Sequence, residues 1–155
     1  MKSKARKNSK PGDVYAIPLK SGGYAFGMVC HKNDFAFFDF RTDSLVLPDG
    51  LLNFSLSFRV PVAKDAPASG KWNYLGHVEL TGDYARPSRY LHKPIGSEQC
   101  YIYCGGVEEP ATREECAGLE ILSTWFSFHI EDRLDDYFSG RESKCVIAMK
   151  KYLGV

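Results

Sequence analysis

The sequence has no long apolar run: nothing in it approaches the roughly 20 residues that a membrane-spanning helix needs. Its first ten residues carry Lys2, Lys4, Arg6, Lys7 and Lys10 without the apolar stretch of a secretory signal. The expectation is a soluble, cytoplasmic protein with no membrane partner. Also missing are a Gly-rich phosphate loop and the HExxH, GxSxG and HxH signatures, so the commonest routes to phosphate binding, metal-assisted hydrolysis and serine catalysis have no motif here. The five cysteines (Cys30, Cys100, Cys104, Cys116, Cys145) are odd in number and lack paired CxxC spacing. That predicts reduced thiols rather than a disulfide framework or a zinc site. His31, His77, His92 and His129 are widely separated in sequence, and no metal, cofactor or catalytic set is expected. Methionine is scarce, with 3 Met against 10 Phe and 9 Tyr; the aromatic excess favours strands over a helical bundle.

A chain of 155 residues suits one globular domain, because two would each have a poor core. Met1 to Lys10 reads as a mobile basic tail and 11–155 as the domain, since the tail has too few apolar groups to offset the entropy of ordering it. Five cations without aromatic neighbours make a solubilising leader, not a nucleic-acid arm. Asp13-Val-Tyr-Ala-Ile-Pro-Leu19 and Tyr24-Ala-Phe-Gly-Met-Val-Cys-His31 are strand-like runs around Lys20-Ser-Gly-Gly23, which predicts a hairpin. Pro18 belongs at an edge or bulge, and Gly27 at a bend or close backbone approach. Phe35 to Phe40 supplies a third strand. Alternation of Leu56, Phe58 and Val60 with Ser57 and Arg59 supplies a fourth. Trp72 to Leu80 and Gln99 to Cys104 are further strands, while Asp83 to Gly96, with Pro87 and Pro94, reads as an extended edge or loop.

The pattern changes at Thr112, which forms a capping box with Glu115 for a short helix that Gly118 ends. A longer helix is predicted from Ser127 to Ser139, with Ile130, Leu134, Tyr137 and Phe138 on one stripe and Gly140 as its cap. Ser143 to Leu153 forms a last helix. The fold class is therefore α+β: a bent antiparallel sheet or small β-barrel followed by C-terminal helices.

Charge is unevenly distributed. Between Glu108 and Asp136 nine acids (Glu108, Glu109, Glu114, Glu115, Glu120, Glu131, Asp132, Asp135, Asp136) meet two bases, Arg113 and Arg133, although the whole chain is +1. On a helical wheel Glu131, Asp132, Asp135 and Asp136 lie off the apolar stripe and are expected to face water. Two like-charge pairs at i, i+4 do not help the helix. The candidate partner-binding set is Glu131, Asp132, Asp135 and Asp136, supported by Glu114 and Glu115. A solvated helix face is its plain alternative.

Gly12-Asp-Val-Tyr-Ala-Ile-Pro-Leu19 with Tyr24-Ala-Phe-Gly27, Trp72 with Gly76, Pro110-Ala-Thr-Arg-Glu-Glu-Cys-Ala-Gly-Leu-Glu120, Trp125, His129-Ile-Glu-Asp-Arg-Leu134 and Gly140-Arg141 together resemble the bacterial immunity protein 26 family. The likeness runs from Gly12 to Cys145, its C-terminal part being the more specific. Ala117-Gly118 is an altered form of the motif, and Cys145 stands where the family has an aromatic residue. The resemblance implies an intracellular antidote whose partner is a cognate toxin domain, nucleases being one class of such toxins, with no nucleic acid bound by the antidote itself. It also implies a rival, because the family is similar to a small organophosphate-triester hydrolase. Trp125 is expected to pack the sheet, and Arg133 and Arg141 to brace neighbouring acids.

Overall fold

Strand β1 (Asp13–Pro18) pairs with β2 (Tyr24–Val29) through the expected hairpin, in which Gly22 and Gly23 take positive φ angles of 102° and 75°. The computed structural model describes residues 8–155. Of the basic segment, residues 1–7 lie outside the described residues. Its end is attached: Ser9 Oγ is 2.8 Å from the Tyr15 hydroxyl, and the Lys10 amide donates to Asp13 Oδ2 at 2.8 Å.

With β3 (Asp34–Thr42), β4 (Leu56–Pro61) and β5 (Asn73–His77) these strands form a five-stranded antiparallel sheet in the order β4-β3-β2-β1-β5. Both faces of this sheet are covered, which is why its strands are so apolar. Along β1, Val14 and Ala16 enter a core with Phe26, Met28 and Phe38. Tyr15 and Ile17 enter the opposite one with Phe37, Val60 and Trp72. Gly27 stands opposite Phe37, and a side chain there would begin 2.8 Å from that ring, so the close approach foreseen for this glycine is real. Pro18 lies beyond the part of β1 that β5 reaches, so its missing N–H interrupts no ladder on that side.

The remaining strands form a second sheet, so the α+β class expected from the sequence holds, as two sheets followed by C-terminal helices and without a closed barrel among the described residues. β6 (Arg89–His92), β7 (Cys100–Cys104), β8 (Val107–Ala111) and β9 (Glu120–Ile121) lie in the order β8-β7-β6-β9, with β6 and β9 parallel. The stretch read as an extended edge or loop holds β6, which is not an edge but one of the sheet's two inner strands. Two prolines flank a strand only four residues long, too short for alternation to be visible in the sequence. β8, with its two glutamates and Pro110, has a composition that argues against a strand; it is tolerated because it lies at an edge.

The two sheets meet at a buried polar cluster. Asp34 accepts hydrogen bonds from the Tyr90 hydroxyl and, at 2.7 Å, from Arg59 Nε. Arg59 also donates to the carbonyls of Asp83 and Arg86. Arg59 and Asp34 are only 11% and 8% exposed at their side chains, so each depends on the other for its charge.

Four α-helices complete the described residues: α1 (Asp65–Ala68), α2 (Arg113–Cys116), α3 (Ser127–Phe138) and α4 (Lys144–Leu153). The capping box is present: Thr112 Oγ1 accepts from the Glu115 amide, and Glu115 Oε2 accepts from the Thr112 amide at 2.8 Å. Trp125 forms a parallel bridge with Val62 and, at 3% exposure, seals the join between the large sheet and α3, as expected of it. From there Ile130 and Leu134 reach the core that contains Tyr15 and Trp72.

Candidate partner-docking face

The four carboxylates of α3 do not all face water. Asp135 is 7% exposed and accepts three hydrogen bonds, from the Lys20 amide (3.2 Å), the Ser21 amide (3.3 Å) and the Ser21 hydroxyl (3.2 Å). A helical wheel measures distance from the apolar stripe; it does not see the β1–β2 turn folding over that side of the helix. A carboxylate tolerates burial when its lone pairs are met in this way.

Asp132 is half exposed and meets Lys20 Nζ at 2.5 Å. That hydrogen bond, with the charge of Asp132, raises the lysine pKa above its ordinary value. Asp136 is largely covered and pairs with Arg141 Nε at 3.2 Å. The like-charge pairs are thus relieved by cations from the hairpin turn and from the α3–α4 link. Among the described residues, Glu131 makes no hydrogen bond or ion pair. Glu114 and Glu115 are exposed on α2, which packs on β7, whereas α3 contacts α4. The acids therefore occupy two faces. Between them lies a cleft of about 450 Å³ lined by residues that include Cys116, Trp125, Arg133 and Met149.

Arg133 braces an acid, as expected. Its guanidinium pairs with Glu120 and lies 3.9 Å from the centre of the Phe58 ring and 5.0 Å from that of Trp125. Sequence reading missed two further pairs, His77 Nδ1 with Asp13 Oδ1 at 3.2 Å and His92 Nδ1 with Glu108 Oε1 at 2.5 Å. Asp13 and His77 are far apart along the chain, and no local signal links them. The thiols of Cys30 and Cys116 are pushed above their ordinary pKa by burial, which keeps them in the poorly nucleophilic protonated form. Among the described residues no group of three or more His, Cys, Asp or Glu is placed to hold a metal ion, and no helix is long and apolar enough to cross a membrane.

The residues that α3 and its N-cap leave in water are aromatic. Phe126 is 49% exposed, Phe128 55% and Tyr137 38%. The rings of Phe126 and Phe128 stack at 6.2 Å and 8°, and His129 lies 4.0 Å from Phe128. The sequence held one sign of this: Phe128 lies about 160° around the helix from Ile130, well off the apolar stripe.

Two sheets with a helical C-terminal flank, whose acids serve mainly internal bonds while its aromatics face solvent, define a small α+β protein. The chain belongs to the Immunity protein 26 family, which its residues 10–101 match. The matched segment runs from before β1 into β7 and includes α1; α2, α3 and α4, with the C-terminal residues most specific to the resemblance, lie beyond it. Membership implies an immunity protein of a polymorphic toxin system, with a protein toxin as its partner. No curated protein and no solved structure gives a significant match to the chain.

Proposed function

We propose that this protein neutralises its cognate toxin domain in the cytoplasm by docking on it, through the acid-bearing face of α3. Family membership carries the reading. Glu131 and Asp132 are the charges available to a partner, while Asp135 and Asp136 serve from behind, holding the hairpin turn and the α3–α4 link in place. Glu114 and Glu115 provide a second acidic patch on α2. A carboxylate-rich face speeds encounter with a cationic cleft, of the kind nucleases present to their substrates, and competes for it.

Co-expression with the cognate toxin domain tests the reading: growth is restored and the two proteins purify together. Within the complex, Glu131→Lys with Asp132→Lys slows association about tenfold at low salt and flattens its salt dependence, because a steered encounter weakens as the Debye length shrinks. A chain that neither protects cells nor binds would end the neutralisation reading. Unchanged association in the folded double variant would remove the acidic face from it.

A further inference from the structure

Phe126 breaks two rules at one position. It is the N-cap of α3, with extended backbone (φ −83°, ψ 159°), where Ser, Thr, Asp or Asn would accept a hydrogen bond from a free amide of the first turn. A phenyl ring supplies no acceptor. The same ring stands half in water, stacked in parallel on the still more exposed Phe128. Both departures weaken the isolated fold, and departures of this kind collect where a protein meets something else.

We infer that Phe126 and Phe128 are the apolar anchor of the docking site, and that their occupant is a cationic protein surface, the toxin domain itself. The inference rests on the neutralisation reading above and adds the residues that hold the complex together. Stacking already restricts the two rings, so inserting them into a partner costs less side-chain entropy than ordering free ones. Aromatic side chains dominate binding energy at the centres of protein interfaces.

Charge selects the occupant. Glu131 and Asp132 follow Phe128 at i+3 and i+4 and flank it on the helix surface. The carboxylates on and against α3 (Glu120, Glu131, Asp132, Asp135 and Asp136) outnumber the cations Lys20, Arg133, Arg141 and Lys144 by one, and Glu131, beside Phe128, makes no hydrogen bond or ion pair among the described residues. Such a surround disfavours an anionic lipid surface. It also disfavours a symmetric dimer of this chain, in which acid would meet acid. A basic protein cleft with an apolar pocket satisfies both the rings and the charges.

The test uses the full chain with Phe126→Asp and Phe128→Ser, and as probe the cognate toxin domain, inactivated in its own active site. Aspartate supplies the missing cap, so the thermal midpoint holds or rises by a few degrees, while affinity for the toxin domain falls at least about 30-fold, as expected for removal of an aromatic hot spot. A midpoint that drops by several degrees would show that the rings are packing residues and overturn the inference. So would unchanged affinity with wild-type binding intact, which leaves the neutralisation reading standing. A wild-type chain that sediments as a dimer and a variant that sediments as a monomer would assign the rings to self-association instead. If the wild-type chain does not bind the toxin domain at all, both readings fall together.

Discussion

The five-stranded sheet and the four-stranded sheet bury themselves differently. In the larger, β1 places Val14 and Ala16 in one core and Tyr15 and Ile17 in the other, all with 0% exposure. In the smaller, one face holds Leu91, Cys100 and Ile121 against Cys116, while on the other only Tyr90 is buried, at the junction with the larger sheet, and His92, Tyr101 and Tyr103 remain half exposed. A strand covered on both sides has its register specified by every residue; one covered on a single side is specified only by alternate residues. Stability is therefore concentrated in the larger sheet, and the smaller sheet is held mainly by its attachments.

That contrast is open to measurement. Trp72→Ala removes the largest fully buried side chain of the larger sheet's core and is expected to cost about 3–5 kcal/mol in urea unfolding. Leu91→Ala, in the smaller core, is expected at the low end of its class, about 2 kcal/mol, because its surroundings are freer to collapse. Equal losses would erase the distinction between the sheets.

Asp34→Ala attacks the junction and is expected to cost about 3 kcal/mol, since Arg59 is left buried without its counter-charge. Probes on the two sheets should then report separate transitions in denaturant. A loss below about 1 kcal/mol would show that the cluster joins nothing that packing does not already join.

The smallest effect lies in pH. Burial raises the Cys30 thiol from its ordinary 9.0 to about 11, so the folded protein keeps a proton that the unfolded chain gives up. Stability from this group is complete below pH 9 and falls as pH rises toward 11, by roughly 1.4 kcal/mol at pH 10. Tyr90, raised by burial and by the charge of Asp34, adds to the loss at higher pH. Cys30→Ala, compared with the parent at pH 7 and pH 10, should show a shallower decline. Parallel declines would place the alkaline sensitivity elsewhere, with the thiols of the smaller sheet next to be tested.

Much of the larger sheet was legible because its signals are local. The Lys20–Gly23 turn, the apolar runs on either side and the alternation through Leu56, Phe58 and Val60 each point to one structure. The same is true of Thr112 with Glu115, of the stripe through Ile130 and Leu134, and of Ser143, whose hydroxyl accepts from the Val146 amide. The smaller sheet was not legible. β6 and β9 are too short to show a period, and β8 is a strand by virtue of its partner rather than its composition. Of the candidate site, the helix and the acids were readable, as was the pairing of Arg133 and Arg141 with acids. The burial of Asp135 was not, because it depends on a turn over a hundred residues earlier in the chain.

The bridge between Val62 and Trp125 sets a timetable for synthesis. The core face carrying Tyr15, Ile17, Phe37 and Trp72 is translated early, yet the residues that close it, Trp125, Ile130 and Leu134, come only after the whole smaller sheet has been made. At about 5–20 residues per second, that face waits several seconds on the ribosome without its cover. During that interval the nascent chain offers an apolar sheet face to chaperones, and a message broken before α3 yields a product prone to aggregate. A chain built this way closes that core only once α3 has been made.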